Sequence, residues 1–245
     1  MYNEILMEAI RITDRISYIP ATENPLSADV GIIEGDDAVW FYDVGANEEV
    51  AEFIENYDTG LNAKSERKKK IAVISHFHTD HTANLTRTSF DKIYLGKLTL
   101  KYLNIIKDSQ SLHDSHDSAT PRLSQSEKIN FEENTEVVEL PVEIDDGIKI
   151  RISEIASSHS TGSLYMQAGD YVFLGDATVY GYKRERKFYN TQLLQKEIQE
   201  LKSLDAEHFL LSHRKRFAKP KRAVVSMLEM IYARRKPNES EIEIF

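Results

Sequence analysis

The sequence has 245 residues, of which 41% are hydrophobic and 29% charged, so it can form one large domain with a substantial core and is unlike a disordered chain. It contains no cysteine, which excludes disulfides, thiolate nucleophiles and thiolate metal ligands, so any metal must bind to imidazole or carboxylate groups. A formal net charge of −9 disfavours nucleic acid as a partner. Without a long apolar run or a secretory signal, we expect a cytoplasmic protein with no membrane span.

The first half of the chain predicts strands that alternate with helices. VGIIE and AVWFY predict two strands around a Gly-Asp-Asp turn within residues 29–42, and apolar positions at helical spacing follow in residues 46–58. A lysine-rich polar loop leads into the apolar run 71–75, which predicts a buried strand. A helix is expected over 96–107, and the polar segment 108–128 predicts a long surface loop that could act as a lid.

The second half predicts several more short strands, in EVVEL, IKIRISEI, LYMQA, YVFLG and HFLLS. Isoleucines alternate with charged residues in IKIRI, as expected for a strand with one wet face. Helices are expected near 191–204 and 220–235. This order predicts the α/β class and an αββα four-layer sandwich, in which two mixed β-sheets are flanked by helices. We expect a single domain over residues 1–245.

The densest group of chemically active residues directly follows the predicted strand 71–75. His76, His78, Asp80 and His81 fall within six positions, and alternate residues of an extended chain point the same way, so they can converge on a cation. Isolated histidines are usually surface residues, but a cluster this dense at a strand end favours a metal site. Zinc is the first expectation for imidazole and carboxylate ligands, with iron or manganese also compatible.

Three more candidate ligands lie at or just past the ends of other apolar strands. They are His159 in SSHSTGS, Asp176 in YVFLGDAT and His213 in HFLLSH. Loops at one edge of a packed sheet commonly assemble a site, so these residues are expected to join the first cluster.

The run HFHTDH, a later lone His, a strand that ends in Gly-Asp and a final Ser-His together resemble the metallo-β-lactamase superfamily. The resemblance extends from Asp43 to His213. It implies a first metal on His76, His78 and His159, and a second on Asp80, His81 and His213. It also implies that Asp176 bridges the two metals and that Asp43 orients a ligand or its loop.

Two positions narrow the branch that the sequence resembles. True β-lactamases of this superfamily do not carry an aspartate at the bridging position, which Asp176 fills here. The flavodiiron branch has Glu where this motif has His78. The resemblance therefore favours the glyoxalase II and lactonase-like hydrolases.

The predicted function is that of a binuclear metallo-hydrolase that cleaves an ester, thioester or lactone bond of a small molecule. A hydroxide that bridges two divalent ions, zinc first, is the expected nucleophile, and Asp80 is expected to help position it. Tyr180 or Tyr182 could donate a proton to the leaving group, although ordinary packing is the stronger expectation for both.

Basic residues crowd the segments after two ligands and predict an anionic substrate, with Arg214 and Arg216 as the expected binding residues. The alternative is a solvated surface whose charges pair with acids from neighbouring elements. The residues concerned are Lys183, Arg184, Arg186 and Lys187 after Asp176, and Arg214, Lys215, Arg216, Lys219, Lys221 and Arg222 after His213.

Three other functions stay open: a phosphodiesterase or nuclease of the same fold, a mononuclear iron oxygenase, and a metal-binding protein without catalysis. His113 and His116 offer a third metal site, but their polar loop favours solvated histidines instead. The acidic tail NESEIEIF could pair at a sheet edge or a dimer contact.

Overall fold

The computed structural model describes residues 8–112, 134–139, 141–214 and 216–244. In this part of the chain, a mixed seven-stranded sheet has the order β1-β2-β5-β6-β7-β8-β9, and a hairpin of β3 and β4 projects from it. Strands β1 to β6 are antiparallel where they pair, and β6 to β9 are parallel. The strands are β1 (Ile10–Arg11), β2 (Ile16–Ile19), β3 (Thr22–Glu23), β4 (Leu26–Ser27), β5 (Val30–Glu34), β6 (Ala38–Tyr42), β7 (Lys69–Val73), β8 (Lys92–Gly96) and β9 (Thr135–Val138).

The second sheet of the described residues is six-stranded, with the order β10-β11-β12-β13-β16-β17. It is antiparallel except for the parallel pair of β13 and β16. Strands β14, β15 and β18 form a third, small sheet. These strands are β10 (Val142–Asp145), β11 (Lys149–Ile155), β12 (Ser163–Ala168), β13 (Tyr171–Gly175), β14 (Gly181–Lys183), β15 (Arg186–Asn190), β16 (His208–Leu211), β17 (Ala218–Pro220) and β18 (Glu241–Ile244).

Four helices lie on the outer faces of the two large sheets: α1 (Glu48–Glu55), α3 (Lys97–Leu112), α4 (Thr191–Ser203) and α5 (Lys221–Ala233). The short helix α2 (Thr79–Thr82), with a 3-10 turn at Ala83–Thr86, follows β7. The Asn47 and Asn190 side chains accept hydrogen bonds from the first free amides of α1 and α4, which explains where these helices begin.

Buried side chains fill three layers between these elements. Trp40 of the first sheet and Phe173 of the second belong to one cluster between the sheets. On the outer face of the first sheet Phe41 packs in a cluster with Ile54 of α1, and on the outer face of the second Leu194 and Leu228 come from α4 and α5. The predicted αββα sandwich of two mixed sheets is therefore confirmed.

Helix α3 is longer than the sequence predicts. Helix α3 runs to Leu112, so residues 108–112, predicted as loop, are helical. No Gly or Pro interrupts Lys97–Leu112, and polarity alone does not end a helix. The rest of the predicted lid, with His113 and His116, lies outside the described residues.

The acidic tail forms β18 and pairs with β15 of its own chain. Over the described ranges, we find no helix both long and apolar enough to cross a bilayer.

Candidate metal centre

The predicted ligands meet at one edge of the sandwich, where several strands end. The HFHTDH motif follows β7, and Asp176 follows β13 directly. His213 comes two residues after β16, the parallel neighbour of β13, and His159 lies in the connection between β11 and β12. Four separate stretches of chain therefore supply one cluster.

Three imidazoles form the first group of candidate ligands. The Nδ1 atom of His78 lies 3.0 Å from Nε2 of His76 and 3.0 Å from Nε2 of His159. Nitrogens that bind one tetrahedral zinc ion lie about 3.4 Å apart, so the spacing is close to that of a metal-bound set.

A second group contains Asp80, His81 and His213. The Oδ2 atom of Asp80 lies 3.0 Å from Nε2 of His213 and 3.5 Å from Nε2 of His81. Asp176 lies between the two groups, because its Oδ2 is 3.5 Å from His159 Nε2, 3.6 Å from His81 Nε2 and 3.9 Å from His213 Nε2. One carboxylate thus faces ligands of both groups.

Asp43 and Ser75 set the ring orientation of two histidines from beneath. The carboxylate of Asp43 accepts hydrogen bonds from the Ser75 amide and hydroxyl, both at 2.8 Å, and from His81 Nδ1 at 2.7 Å. Because the Ser75 hydroxyl donates to Asp43, its oxygen is free to accept from Nδ1 of His76 at 2.9 Å. When each ring is neutral, as a metal ligand must be, its proton is therefore on Nδ1 and the lone pair of Nε2 faces the centre.

The main chain sets the third histidine in the same way. The Nδ1 atom of His159 lies 3.2 Å from the carbonyl oxygen of Tyr180, which can only accept, so Nδ1 donates and Nε2 keeps its lone pair. The contribution of Tyr180 that is visible in the centre is therefore this carbonyl group.

The charge balance of the centre favours a cation. Burial and neighbouring imidazoles lower the pKa of His76 well below its ordinary value, and burial with nearby His159 lowers the pKa of His78 to about 4. Both are therefore neutral ligands at pH 7. Burial raises the pKa of Asp176, but the facing imidazoles, first His81, outweigh it and bring the pKa to about 2. Burial likewise opposes a proton on His81, yet Asp43 and Asp176 hold its pKa well above the usual range.

The residues fit a metal for a further reason. Within the described part of the chain, the buried atoms Nε2 of His81 and Oδ1 of Asp176 have no hydrogen-bond partner. Unpaired buried polar atoms are costly, and His81 and Asp176 belong to one group of candidate metal ligands with His76. Divalent cations bound there would satisfy them.

Two candidate functional residues adopt backbone angles that are rare for side chains with a Cβ. Asp43 has φ 59° and His213 has φ 55°. Gly175, just before Asp176, has φ 52°, and a Cβ there would lie 2.9 Å from Oγ of Ser75 and 3.4 Å from Oδ2 of Asp43. Glycine at 175 leaves room for the Asp43–Ser75 pair.

Asp29 and Ser212 hold the segment that carries His213, and no sequence pattern predicts this role for either residue. Asp29 is buried, and its Oδ2 accepts the His213 amide at 2.9 Å and the Ser212 hydroxyl at 3.3 Å. Its Oδ1 accepts the amide of Ala21 at 3.1 Å. Asp29 lies directly before a strand, and Asp43 lies directly after one. No local pattern predicts that Asp29 contacts the distant Ser212–His213 segment.

The residues predicted to contact substrate lie beside the His159 and His213 loops. The rings of Tyr180 and Tyr182 are 5.3 Å apart, and Lys187 Nζ lies 5.1 Å from the centre of the Tyr180 ring. The pKa of Tyr180 is lowered, first by the Tyr182 hydroxyl and then by Lys187 and Arg214. Arg214 and Arg216 are exposed.

Some of the basic residues pair with acids from elsewhere in the chain. Lys183 lies 3.1 Å from Glu241, and Arg186 lies 3.0 Å from Glu243, so strand β18 neutralises part of this segment. Lys221 donates to main-chain carbonyls at the end of α4. Lys215 lies outside the described residues.

Solved structures with the same architecture include an archaeal metallo-β-lactamase superfamily protein from Sulfolobus tokodaii, with 16% identity, a TM-score of 0.53 and coverage of 93% of this chain and 90% of that one. A metallo-β-lactamase from Pontibacter korlensis has 13% identity, a TM-score of 0.59 and coverage of 91% and 98%. A flavo di-iron protein mutant from Thermotoga maritima has 12% identity, a TM-score of 0.59 and coverage of 92% and 61%.

No protein-family model and no curated protein matches the chain. At identities this low, the structural likeness establishes the metallo-β-lactamase fold and no particular activity.

Proposed function

We propose that this protein is a metal-dependent hydrolase with a two-ion centre, which cleaves an ester, thioester or lactone bond of a small anionic substrate. The observation that carries the proposal is the position of Asp176, whose Oδ2 lies within 4 Å of ligand nitrogens in both groups. A carboxylate placed in this way can bridge two cations. We assign the protein to the glyoxalase II and lactonase-like branch in this proposal, because true β-lactamases of the superfamily lack an aspartate at the bridging position.

The centre needs no nucleophilic side chain. When bound, two divalent ions, zinc first, supply a nucleophile from water near neutral pH and stabilise charge that develops on a substrate oxygen. His76, His78 and His159 would hold one ion, and Asp80, His81 and His213 the other. Asp80 has a further role in the proposal: its carboxylate, whose Oδ2 lies 3.0 Å from Nε2 of His213, helps to position the nucleophile.

An anionic substrate is proposed because basic side chains beside the candidate metal centre have no acidic partner among the described residues. Among the residues the structure describes, Arg214 has no acidic partner, and it directly follows His213. Lys187 lies over the Tyr180 ring on the same side of the centre. A substrate carboxylate would meet Arg214 in the paired geometry that guanidinium groups favour.

A phosphodiesterase is the second candidate, and it is supported by the same exposed arginine. A mononuclear iron oxygenase and a metal-binding protein without catalysis have weaker support, because both ligand groups are complete. The di-iron neighbours make iron worth testing as the metal.

The deciding experiment combines a metal count on the purified protein with an activity panel before and after chelation. The panel contains p-nitrophenyl acetate, a thioester, a lactone and bis-p-nitrophenyl phosphate. We expect two divalent ions per chain and hydrolysis of a carboxylic ester, thioester or lactone. Chelation should abolish this hydrolysis, and added zinc should restore it.

His81→Ala tests the second ligand group, and His208→Ala is its matched control. His208 is partly buried and stacks on Tyr171, outside the ligand groups. We expect His81→Ala to lose one metal and nearly all hydrolysis, and His208→Ala to keep both. Cleavage of the phosphodiester alone would favour the second candidate, and one iron per chain without hydrolysis would overturn the two-ion proposal.

A further inference from the structure

A cavity of about 370 Å³ opens beside the metal centre, between the β3–β4 hairpin and the HFHTDH segment. Its lining combines apolar side chains with residues that carry the ligands, namely Leu26, Ala46, Phe77, His78, Thr79 and Asp80. A molecule that reaches His78 and Asp80 from this side therefore passes along an apolar wall.

The hairpin that carries Leu26 is fastened to the ligand segment. The amide of Ala28 donates to the carbonyl of Asp80 at 2.9 Å, and the Ser27 hydroxyl accepts from the amide of Ala46 at 2.9 Å. At the other strand of the hairpin, Thr22 accepts a hydrogen bond from Asn47 at 3.2 Å. Leu26 is 56% exposed although its neighbours on both sides are held, so its side chain stands in solvent at a defined place.

The opposite wall is also held in place. The Phe77 ring stacks on Tyr102 of α3 with centroids 4.3 Å apart, and it meets the His78 ring edge-on at 4.9 Å. Phe77 is only partly buried by these contacts. Two ordered apolar side chains thus face solvent directly beside candidate ligands, where covering them with a ligand would be favourable.

We propose that this cavity binds an apolar group of the substrate, such as an alkyl chain or an aryl ring, and that Leu26 and Phe77 determine specificity for it. The proposal rests on the proposed function, because the apolar group belongs to the molecule whose bond the centre cleaves. With the exposed Arg214 directly after His213, the preferred substrate has an apolar end and an anionic end.

The first test measures kcat/KM of the zinc-loaded protein on two ester series. One series keeps p-nitrophenol and lengthens the acyl group from acetyl to butyryl to hexanoyl, and the other keeps acetyl and lengthens the alcohol. We expect kcat/KM to rise about twofold to fourfold per added methylene in one series, as partial to full burial of each group predicts. No rise in either series would overturn the proposal.

The residues are tested by Leu26→Thr and Phe77→Ser, each checked for metal content and melting temperature. Leu61→Thr is the matched control, because Leu61 is 65% exposed and pairs with Arg67 just before β7 begins, at the end of that strand remote from the motif. We expect the dependence on chain length to flatten in the two cavity variants and to persist in the control. An unchanged dependence in both cavity variants would contradict the assignment.

A binding measurement separates this proposal from the proposed function. Calorimetric titration of the zinc-loaded protein with acetate, butyrate, hexanoate and octanoate needs no turnover. If no ester is hydrolysed but affinity rises with chain length and falls in Leu26→Thr, the hydrolase proposal fails and the apolar site stands. If esters are hydrolysed with no effect of chain length on rate or affinity, the apolar site fails alone.

Discussion

The main-chain amide of His213 donates a 2.9 Å hydrogen bond to Oδ2 of Asp29, across 184 positions of sequence. Ser212 reinforces the link, since its hydroxyl accepts from the Asp29 amide at 3.0 Å. His213 has a left-handed backbone, φ 55°, which a non-glycine residue keeps only when its surroundings hold it. Asp29 is the residue that holds it.

Replacing Asp29 with Asn is therefore expected to weaken metal binding at the Asp80, His81 and His213 group. Both oxygens of Asp29 accept main-chain amides, so an NH₂ group at either position faces another donor. We expect the dissociation constant of the ion at this group to rise about 10-fold to 100-fold, as measured by competition with a metal indicator. Asp14→Asn, at an exposed position, is the control, and an unchanged affinity in Asp29→Asn would contradict the positioning role.

Asp43→Asn is expected to remove His81 from the ligand set. An amide NH₂ opposite Nδ1 of His81 makes that nitrogen an acceptor and moves the ring proton to Nε2, where it blocks a metal. Metal analysis should show one ion fewer per chain. Asp58→Asn, at an exposed position outside the candidate ligand groups, is the control and should retain both ions. Full metal content in Asp43→Asn would show that the tautomer does not depend on this carboxylate.

Gly175→Ala and Gly169→Ala separate backbone strain from crowding. Both glycines have positive φ, 52° and 55°, but a Cβ at 169 meets nothing within 4 Å, whereas one at 175 meets Ser75 and Asp43. We expect both to lose about 1–2 kcal/mol of unfolding free energy. Gly175→Ala should lose about 1–3 kcal/mol more and bind metal weakly, as urea titration and metal analysis will show. Equal losses would mean that the close approach is unimportant.

Glu197 of α4 is expected to make the protein less stable as pH rises. It is fully buried, neither carboxylate oxygen has a hydrogen-bond partner among the described residues, and burial raises its pKa well above the ordinary 4.5. Above about pH 4.5 the unfolded chain releases this proton while the folded chain keeps it, so unfolding is favoured until the folded pKa is reached.

The unfolding free energy of Glu197→Gln minus that of the wild type should therefore increase with pH. We expect an increase of up to about 1.4 kcal/mol per pH unit in this range. Urea titrations at pH 5, 6, 7 and 8 measure the difference, and Glu52→Gln, at an exposed site on α1, is the control. A constant difference between the Glu197 variant and the wild type would show that the carboxyl ionises when buried.

Much of the fold and all seven candidate ligands could be predicted from the sequence alone. Runs such as AVWFY and YVFLG are apolar on both faces, and β6 and β13 are buried as those runs require. The HFHTDH motif needs only neighbouring residues to place four donor groups together. Two-residue strands such as β3 and β4 have too few positions for a period to show, so the hairpin with Leu26 was not predicted.

Only the tertiary structure decided which groups complete and orient the centre. The tautomers of His76, His81 and His159 depend on Ser75, Asp43 and a main-chain carbonyl, and the His213 loop depends on Asp29. The charge left at the rim depends on acids that β18 brings back to β15. Periodicity and residue type report on neighbours within a few positions, whereas these hydrogen bonds and ion pairs join residues that only the folded chain brings within 4 Å.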